Sequence, residues 1–356
     1  MDITIDNIIA ALKHVDDPDL KKDLITLNMV ENIVVEGNNV SFTVVLTTPA
    51  CPMKEMIKNA CTTAVKHLVN AAAIVTITMT SRTTGLAKPS GTVLAGVSNI
   101  IAVFSGKGGV GKSTIASNMA VALAQSGATV GLMDADIYGP SVPIMFGLRG
   151  KRPLMTNVAG KDMIEPMESN GIKVMSIGLL IDDKQAVVWR GPMASSAIKQ
   201  FITDVNWGNL DYLILDMPPG TGDIHLTLLQ MIPLSGAIIV TTPQDVALAD
   251  AKKAIAMFAQ AQVIVPILGI VENMSYFTPT ELPDNKYYIF GKDGGKRLAE
   301  EFEIPFLGAI PLVQSIREGG DKGIPLLAGT DEVTKKAFYE CSNNVVRQMA
   351  IVNATK

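Results

Sequence analysis

Ile100-Ile101-Ala102-Val103-Phe104-Ser105-Gly106-Lys107-Gly108-Gly109-Val110-Gly111-Lys112-Ser113-Thr114 carries an uncharged, β-rich run into a glycine-rich loop. The run Ile100 to Phe104 suits a strand buried on both faces of a parallel sheet. Beyond the loop the pattern changes: Ile115, Met119, Val121, Ala122 and Leu123 recur at helical spacing until Gly127, which is placed to end a helix. A loop between strand and helix, reading G-x-x-x-x-G-K-S from Gly106 to Ser113, is a phosphate cradle. Its glycines let the backbone wrap closely, so that the N–H groups of Gly106, Lys107, Gly108, Gly109, Val110, Gly111, Lys112, Ser113 and Thr114 and the helix N-terminus face an anion. Lys112 adds a point charge, and the Ser113 hydroxyl is placed to hold Mg²⁺.

Further strand ends deliver acids to the same side. Thr129 to Met133 is a second apolar run, and it presents Asp134-Ala135-Asp136 where ligands sit in open α/β sheets. Tyr212 to Leu215 delivers Asp216, followed by Met217-Pro218-Pro219-Gly220-Thr221-Gly222-Asp223. An acid at a strand end before a glycine-containing turn is what an Mg²⁺-holding carboxylate, acting through water, and a γ-phosphate sensor require. Ala237 to Val240 and Ile267 to Val271 give two more buried strands around a helix from Asp245 to Ala259. The alternation predicts a doubly wound, mainly parallel α/β sheet.

Before the loop, a different pattern holds. Ile5, Ile8, Ile9 and Leu12 make a helical face, with Asp6 as its cap and Asp16-Asp17-Pro18 as its end. Val30 to Val35 and Val40 to Leu46 flank the hairpin signal Glu36-Gly37-Asn38-Asn39. Met53, Ile57, Cys61, Ala64 and Leu68 share a helical face, and Ile74 to Met79 reads as a strand. The order α-β-β-α-β predicts a small α+β domain over residues 1–82, a Gly/Pro-bearing linker over 83–97, and a nucleotide domain over 98–356. Pro52 suits a first helical position, which puts Cys51 at the N-cap, where the helix dipole favours thiolate. A cap residue without chemistry is the other reading of Cys51. Cys61 and Cys341 fall in apolar phases and read as core.

The chain's 356 residues, 48% hydrophobic and 18% charged, suffice for two domains and describe a folded protein. A net charge of -4 without a basic cluster argues against nucleic acid. No apolar run approaches the roughly eighteen residues of a membrane span, and Met1-Asp2-Ile3-Thr4-Ile5-Asp6 lacks a basic leader, so a cytoplasmic protein is expected. Three scattered cysteines give no disulfide framework, and three dispersed histidines give no metal motif.

The loop's second lysine, Lys107, makes Lys-Gly-Gly-Val-Gly-Lys-Ser, which resembles the deviant Walker A motif of the family that includes MinD, ParA, the nitrogenase iron protein and the Mrp/ApbC carriers. Asp134-Ala135-Asp136-Ile137-Tyr138-Gly139-Pro140-Ser141, Trp189-Arg190-Gly191-Pro192-Met193 and Asp216 to Asp223 look like the Mrp/ApbC iron–sulfur carriers in particular. Residues 1–82 resemble the cluster-assembly domain of PaaD-like and SufT-like proteins, whose turn is matched at Thr48-Pro49-Ala50-Cys51-Pro52. The resemblance implies a P-loop ATPase with ATP, Mg²⁺ and a [4Fe–4S] cluster, working as a homodimer that hands clusters to apoproteins. It implies that Lys107 reaches the partner subunit's phosphates, Asp134 lies near Mg²⁺ through water, Asp136 handles the attacking water, and Asn273 contacts adenine. A MinD/ParA-like switch on membrane or DNA is the alternative. One departure stands out: many members carry Cys-x-x-Cys just after Glu-Asn-Met-Ser, whereas Tyr276 to Tyr288 contains no cysteine. A [4Fe–4S] cluster takes four thiolates, which leaves two readings: Cys51 of each subunit supplies two of them, or the protein is an ATPase that carries no cluster itself.

Overall fold

A computed structural model describes residues 2–355 apart from 84, 86–92, 159, 182–190, 261–264, 280, 283–284 and 326–331. Trp189, Arg190, Thr280 and most of the expected linker lie outside the described residues. The chain divides into two compact units, Met1–Thr84 with Val346–Lys356, and Gly85–Val345.

In the smaller unit, α1 (Ile5–Leu12) is capped by Thr4, whose hydroxyl accepts the Asn7 N–H at 3.2 Å. Asp6, the expected cap, lies inside the first turn instead. A cap needs extended backbone, which Thr4 has, and an acid one turn in still complements the helix dipole. The strands β1 (Val30–Glu36) and β2 (Asn39–Leu46) pair antiparallel through a tight turn in which Gly37 takes φ +60°. After α2 (Lys54–Leu68), β3 (Ile74–Ser81) lies parallel to β2. Val40, Phe42, Val44 and Leu46 alternate inward from β2 against Ile57, Cys61 and Val65 of α2 and Ile8 and Leu12 of α1. The closing residues Val346–Lys356 count with this unit, where the Arg347 Nε lies 2.6 Å from Asp19 Oδ1. The nucleotide domain drawn from sequence over 98–356 had included them.

The larger unit is built on one sheet of β4 (Val97–Phe104), β5 (Val130–Asp134), β6 (Met167–Ser169), β7 (Ile172–Ser176), β8 (Leu210–Asp216), β9 (Gly236–Thr241), β10 (Ile267–Glu272) and β11 (Phe306–Ala309). Its spatial order is β6-β7-β5-β8-β4-β9-β10-β11, parallel except for the β6-β7 hairpin at one edge. Ile100 to Phe104 are fully buried, as a central strand covered on both faces requires. Asp216 stands in register with Asp134 on one side and Val103 on the other, so the two acids and the glycine loop leave the sheet at the same end. Helix α3 (Lys112–Gln125) follows the loop. Its end is a Schellman turn: Gly127 takes φ +98°, Ala128 N–H donates to Leu123 O at 3.1 Å, and Gly127 N–H donates to Ala124 O at 2.9 Å. The remaining helices needed below are α4 (Asp223–Met231), α5 (Asp245–Phe258), α6 (Gly294–Glu301) and α7 (Glu332–Thr355).

Candidate functional site

Each glycine of the loop has its own reason. A Cβ on Gly106 would come within 2.2 Å of the Asp250 backbone, so only glycine lets α5 pack against the loop's first turn. Gly109 takes φ +83°, and a Cβ at Gly108 or Gly109 would meet nothing within 4 Å, which leaves their backbone facing open space. At Gly111, also at φ +83°, a Cβ would lie 2.1 Å from the Asn273 side-chain nitrogen. That nitrogen donates to the Val110 carbonyl at 2.8 Å. Asn273 therefore braces the phosphate loop through this amide, a contact the sequence reading, which gave it adenine, did not foresee.

The brace is itself held. Glu272 is buried at the end of β10 and accepts the Ser275 hydroxyl at 2.5 Å and the Gly295 N–H at 2.6 Å, which ties the Glu-Asn-Met-Ser turn to the N-terminus of α6. Beside it opens a cavity of about 370 Å³ lined by Thr114, Asn273, Met274, Pro311, Leu312, Ile316 and Arg317. The residues after β11 were not read as site residues. The signal was present in the continuing β/α alternation, but Phe306–Ala309 is too short to stand out as a strand.

Lys112, 5% exposed, lies among carboxylates. Its Nζ is 2.5 Å from Asp216 Oδ1, 3.6 Å from Asp136 Oδ2 and 3.4 Å from the Ser113 hydroxyl. Asp134 Oδ2 accepts the Ser176 hydroxyl at 2.8 Å, and its Oδ1 accepts the Asp136 N–H at 3.1 Å. Burial, with Asp216 close by, pushes Asp134 up to about 8. Burial also raises Asp216, with the Lys112 ammonium pulling the other way. The second oxygen of Asp216 is buried and has no hydrogen-bond partner. A fully buried carboxylate with one orphaned oxygen, next to a serine hydroxyl and a second acid, fits a water-coordinated Mg²⁺. Lys107 is half-buried, and among the described residues no acid pairs with it.

Cys51 belongs to the smaller unit, and its expected position is corrected. The N-cap of α2 is Met53, two residues later, so the first helical turn does not act on the sulfur as proposed. Burial pushes the Cys51 thiol up, the Met53 N–H opposes this, and Asp17 and Asp19 add to the rise. Cys61 and Cys341 are buried as expected, and burial pushes both thiols up to about 12. Over Tyr276 to Tyr288, where the resemblance implies Cys-x-x-Cys, this chain makes other contacts: Phe277 and Tyr287 exchange backbone hydrogen bonds of 2.8 Å, and Lys286 lies 4.1 Å from the Tyr276 ring centroid. Among the described residues no group of three or more His, Cys, Asp or Glu is arranged to hold a metal ion.

Residues 96–346 match the family described as ParA, the NUBPL iron-transfer P-loop NTPases, and residues 5–78 match the iron–sulfur cluster assembly proteins. An iron–sulfur cluster carrier protein of Synechocystis is 51% identical over 350 residues, covering 98% of this chain and 99% of its own. One from Escherichia coli is 52% identical over 255 residues, 71% of this chain and 68% of its own. A nucleotide-binding protein from Archaeoglobus fulgidus, solved in complex with ADP, is 39% identical with a TM-score of 0.58, covering 67% of this chain and 91% of that one. The MinD cell-division ATPase of Pyrococcus furiosus, 23% identical with a TM-score of 0.51 over 70% of this chain and 98% of its own, shares the fold alone. A phosphate loop braced by Asn273, with two strand-end acids leaving the sheet at the same end, and kinship at half identity along nearly the whole length place this chain in the family of iron-transfer P-loop NTPases that carry iron–sulfur clusters.

Proposed function

We infer that this protein binds and hydrolyses ATP and carries iron–sulfur clusters to apoproteins, and that it does so as a homodimer in the cytoplasm. The observation that carries the reading is the Lys112 ammonium held between Asp216 and Asp136 at the mouth of the loop. A buried lysine with two acids is poised to exchange a carboxylate for a phosphate, since the loop N–H groups and the N-terminus of α3 already favour an anion there. Ser113 and, through water, Asp134 and Asp216 would hold Mg²⁺, which neutralises phosphate charge when bound. Asp136 is placed to orient and deprotonate the attacking water, with Lys112 stabilising charge on the transferred phosphoryl group. Lys107, which no acid pairs with among the described residues, is available to a second copy's phosphates. The loop from Met217 to Gly222 is tied to β4 by Met217 N–H to Val103 O at 3.2 Å and to the residue after it by Gly220 N–H to Ser105 O at 2.9 Å, and it serves as the γ-phosphate sensor. Asn273 and the cavity beside it would take the nucleoside.

The cluster is cargo. Of three thiols in the chain, two are buried in cores, so four thiolates cannot come from one subunit. Cys51 from each of two copies, completed by external thiols or by the recipient, is the arrangement the chain allows. The test is anaerobic loading with iron and sulfide, followed by transfer to an apo-[4Fe–4S] enzyme with and without ATP. Wild type should hold cluster and activate the recipient, whereas Cys51→Ala should hold about half or less. Equal cluster content in the two removes Cys51 from the reading.

A further inference from the structure

His225 is 3% exposed in the first turn of α4, directly after the loop that ends at Gly222. Its Nε2 lies 2.8 Å from the Pro218 carbonyl oxygen, and its Nδ1 lies 3.3 Å from that of Gly222. Gly222 O already accepts the His225 backbone N–H at 3.0 Å. The ring proton is therefore assigned to Nε2, where Pro218 O is the acceptor that needs it. On its other side the imidazole packs against Phe104, the last residue of β4 before the phosphate loop, with ring centroids 5.9 Å apart. Phe104 is in turn braced edge-on by Phe258 at 4.9 Å.

The composition of the loop makes this contact matter. Pro218 and Pro219 have no N–H to donate. Between the ties at Met217 and Gly220, the loop can be fastened only through a carbonyl, and His225 supplies the donor. Gly220 sits at φ +95° just beyond, a conformation that glycine adopts readily, so the chain can change direction after the prolines.

We propose that His225 is a positioning residue for ATP hydrolysis: through its Nε2–H it fixes the Pro218 carbonyl and so sets the loop between Asp216 and Gly222. This rests on the reading of that loop as the γ-phosphate sensor. The ring nitrogens meet the carbonyls of Pro218 and Gly222, so the imidazole acts through the loop, and its rigidity comes from Phe104 on the strand that also carries the phosphate loop.

Two replacements separate its parts. His225→Phe keeps a ring against Phe104 and removes the donor, and His225→Gln places an amide N–H near the Nε2 position. In full-length protein, kcat and KM for ATP are measured for both, with thermal melts and hydrogen exchange of the loop amides in ADP and in a non-hydrolysable ATP analogue. His225→Phe should lower kcat about tenfold, as loss of one aligned hydrogen bond would, with KM within about twofold and faster loop exchange in both nucleotide states. His225→Gln should recover most of kcat. Unchanged kcat in His225→Phe overturns the proposal, as does an equal fall in both variants that follows their melting temperatures. If wild-type loop exchange is the same in the two nucleotides, the sensor reading fails and the proposal falls with it. If the wild-type loop responds but His225→Phe leaves exchange and kcat unaltered, only the role of His225 fails.

Discussion

Gly111→Ala probes the brace on the phosphate loop. The new methyl carbon would stand 2.1 Å from the Asn273 amide nitrogen, more than an ångström inside ordinary contact, and the residue would have to keep φ +83°. The left-handed backbone costs a non-glycine residue about 1–2 kcal/mol. To clear the methyl, the amide must leave Val110 O, which sits in a buried residue, and an unsatisfied buried carbonyl costs roughly 1–3 kcal/mol. The sum is about 2–5 kcal/mol. In an Asn273→Ala background the clash and the hydrogen bond are already gone, so the same glycine substitution should cost only the backbone part. A double-mutant cycle is the assay, read by denaturant unfolding of the larger unit and by ADP affinity from calorimetry. The expected coupling is about 1–3 kcal/mol, with the double mutant better than the sum of the single changes. Additive costs would refute the contact and return Asn273 to a role in the nucleoside pocket alone.

Lys112→Met should destabilise the larger unit by about 3–5 kcal/mol near neutral pH, because it leaves Asp216 buried without its counter-charge. Thermal melts at pH 5 and pH 8 should show the deficit shrinking at the acid end as the carboxylates protonate. Asp134 gives a second pH signature. Its folded value of about 8 lies above the ordinary 3.8, so the folded state binds the extra proton between these values and stability falls as pH rises through that window. Asp134→Asn should therefore flatten the pH dependence of the melting temperature, with its largest stabilising effect at and above about pH 8, while abolishing metal-dependent hydrolysis. A variant whose slope between pH 5 and 8 matches wild type would show that Asp134 is ionised throughout.

The parts legible in sequence were those set by local chemistry. Ile100 to Phe104 must be a central strand because nothing polar interrupts it, and Gly127 must end a helix because its neighbours' carbonyls need a left-handed turn. The hairpin at Gly37 and the apolar phases of Cys61 and Cys341 follow in the same way. The order of motifs from Gly106 to Asp216 likewise picked out the candidate phosphate-binding groups, since phosphate binding needs glycine, lysine, hydroxyl and acid at strand ends wherever the rest of the chain goes.

Short strands such as Met167–Ser169 and Phe306–Ala309 escaped, because their pairing comes from neighbours far along the chain and not from their own periodicity. Cys51 was placed at a helix cap because Pro52 suits a first turn, yet the turn begins later and burial governs the thiol. Residue types and spacing were enough to determine that this chain grips a nucleotide. Only the tertiary structure decided that Asn273 grips the loop, that Lys112 rests on Asp216, and that His225 holds Pro218, because each of these contacts depends on where the packed sheet carries a side chain and not on the residues next to it.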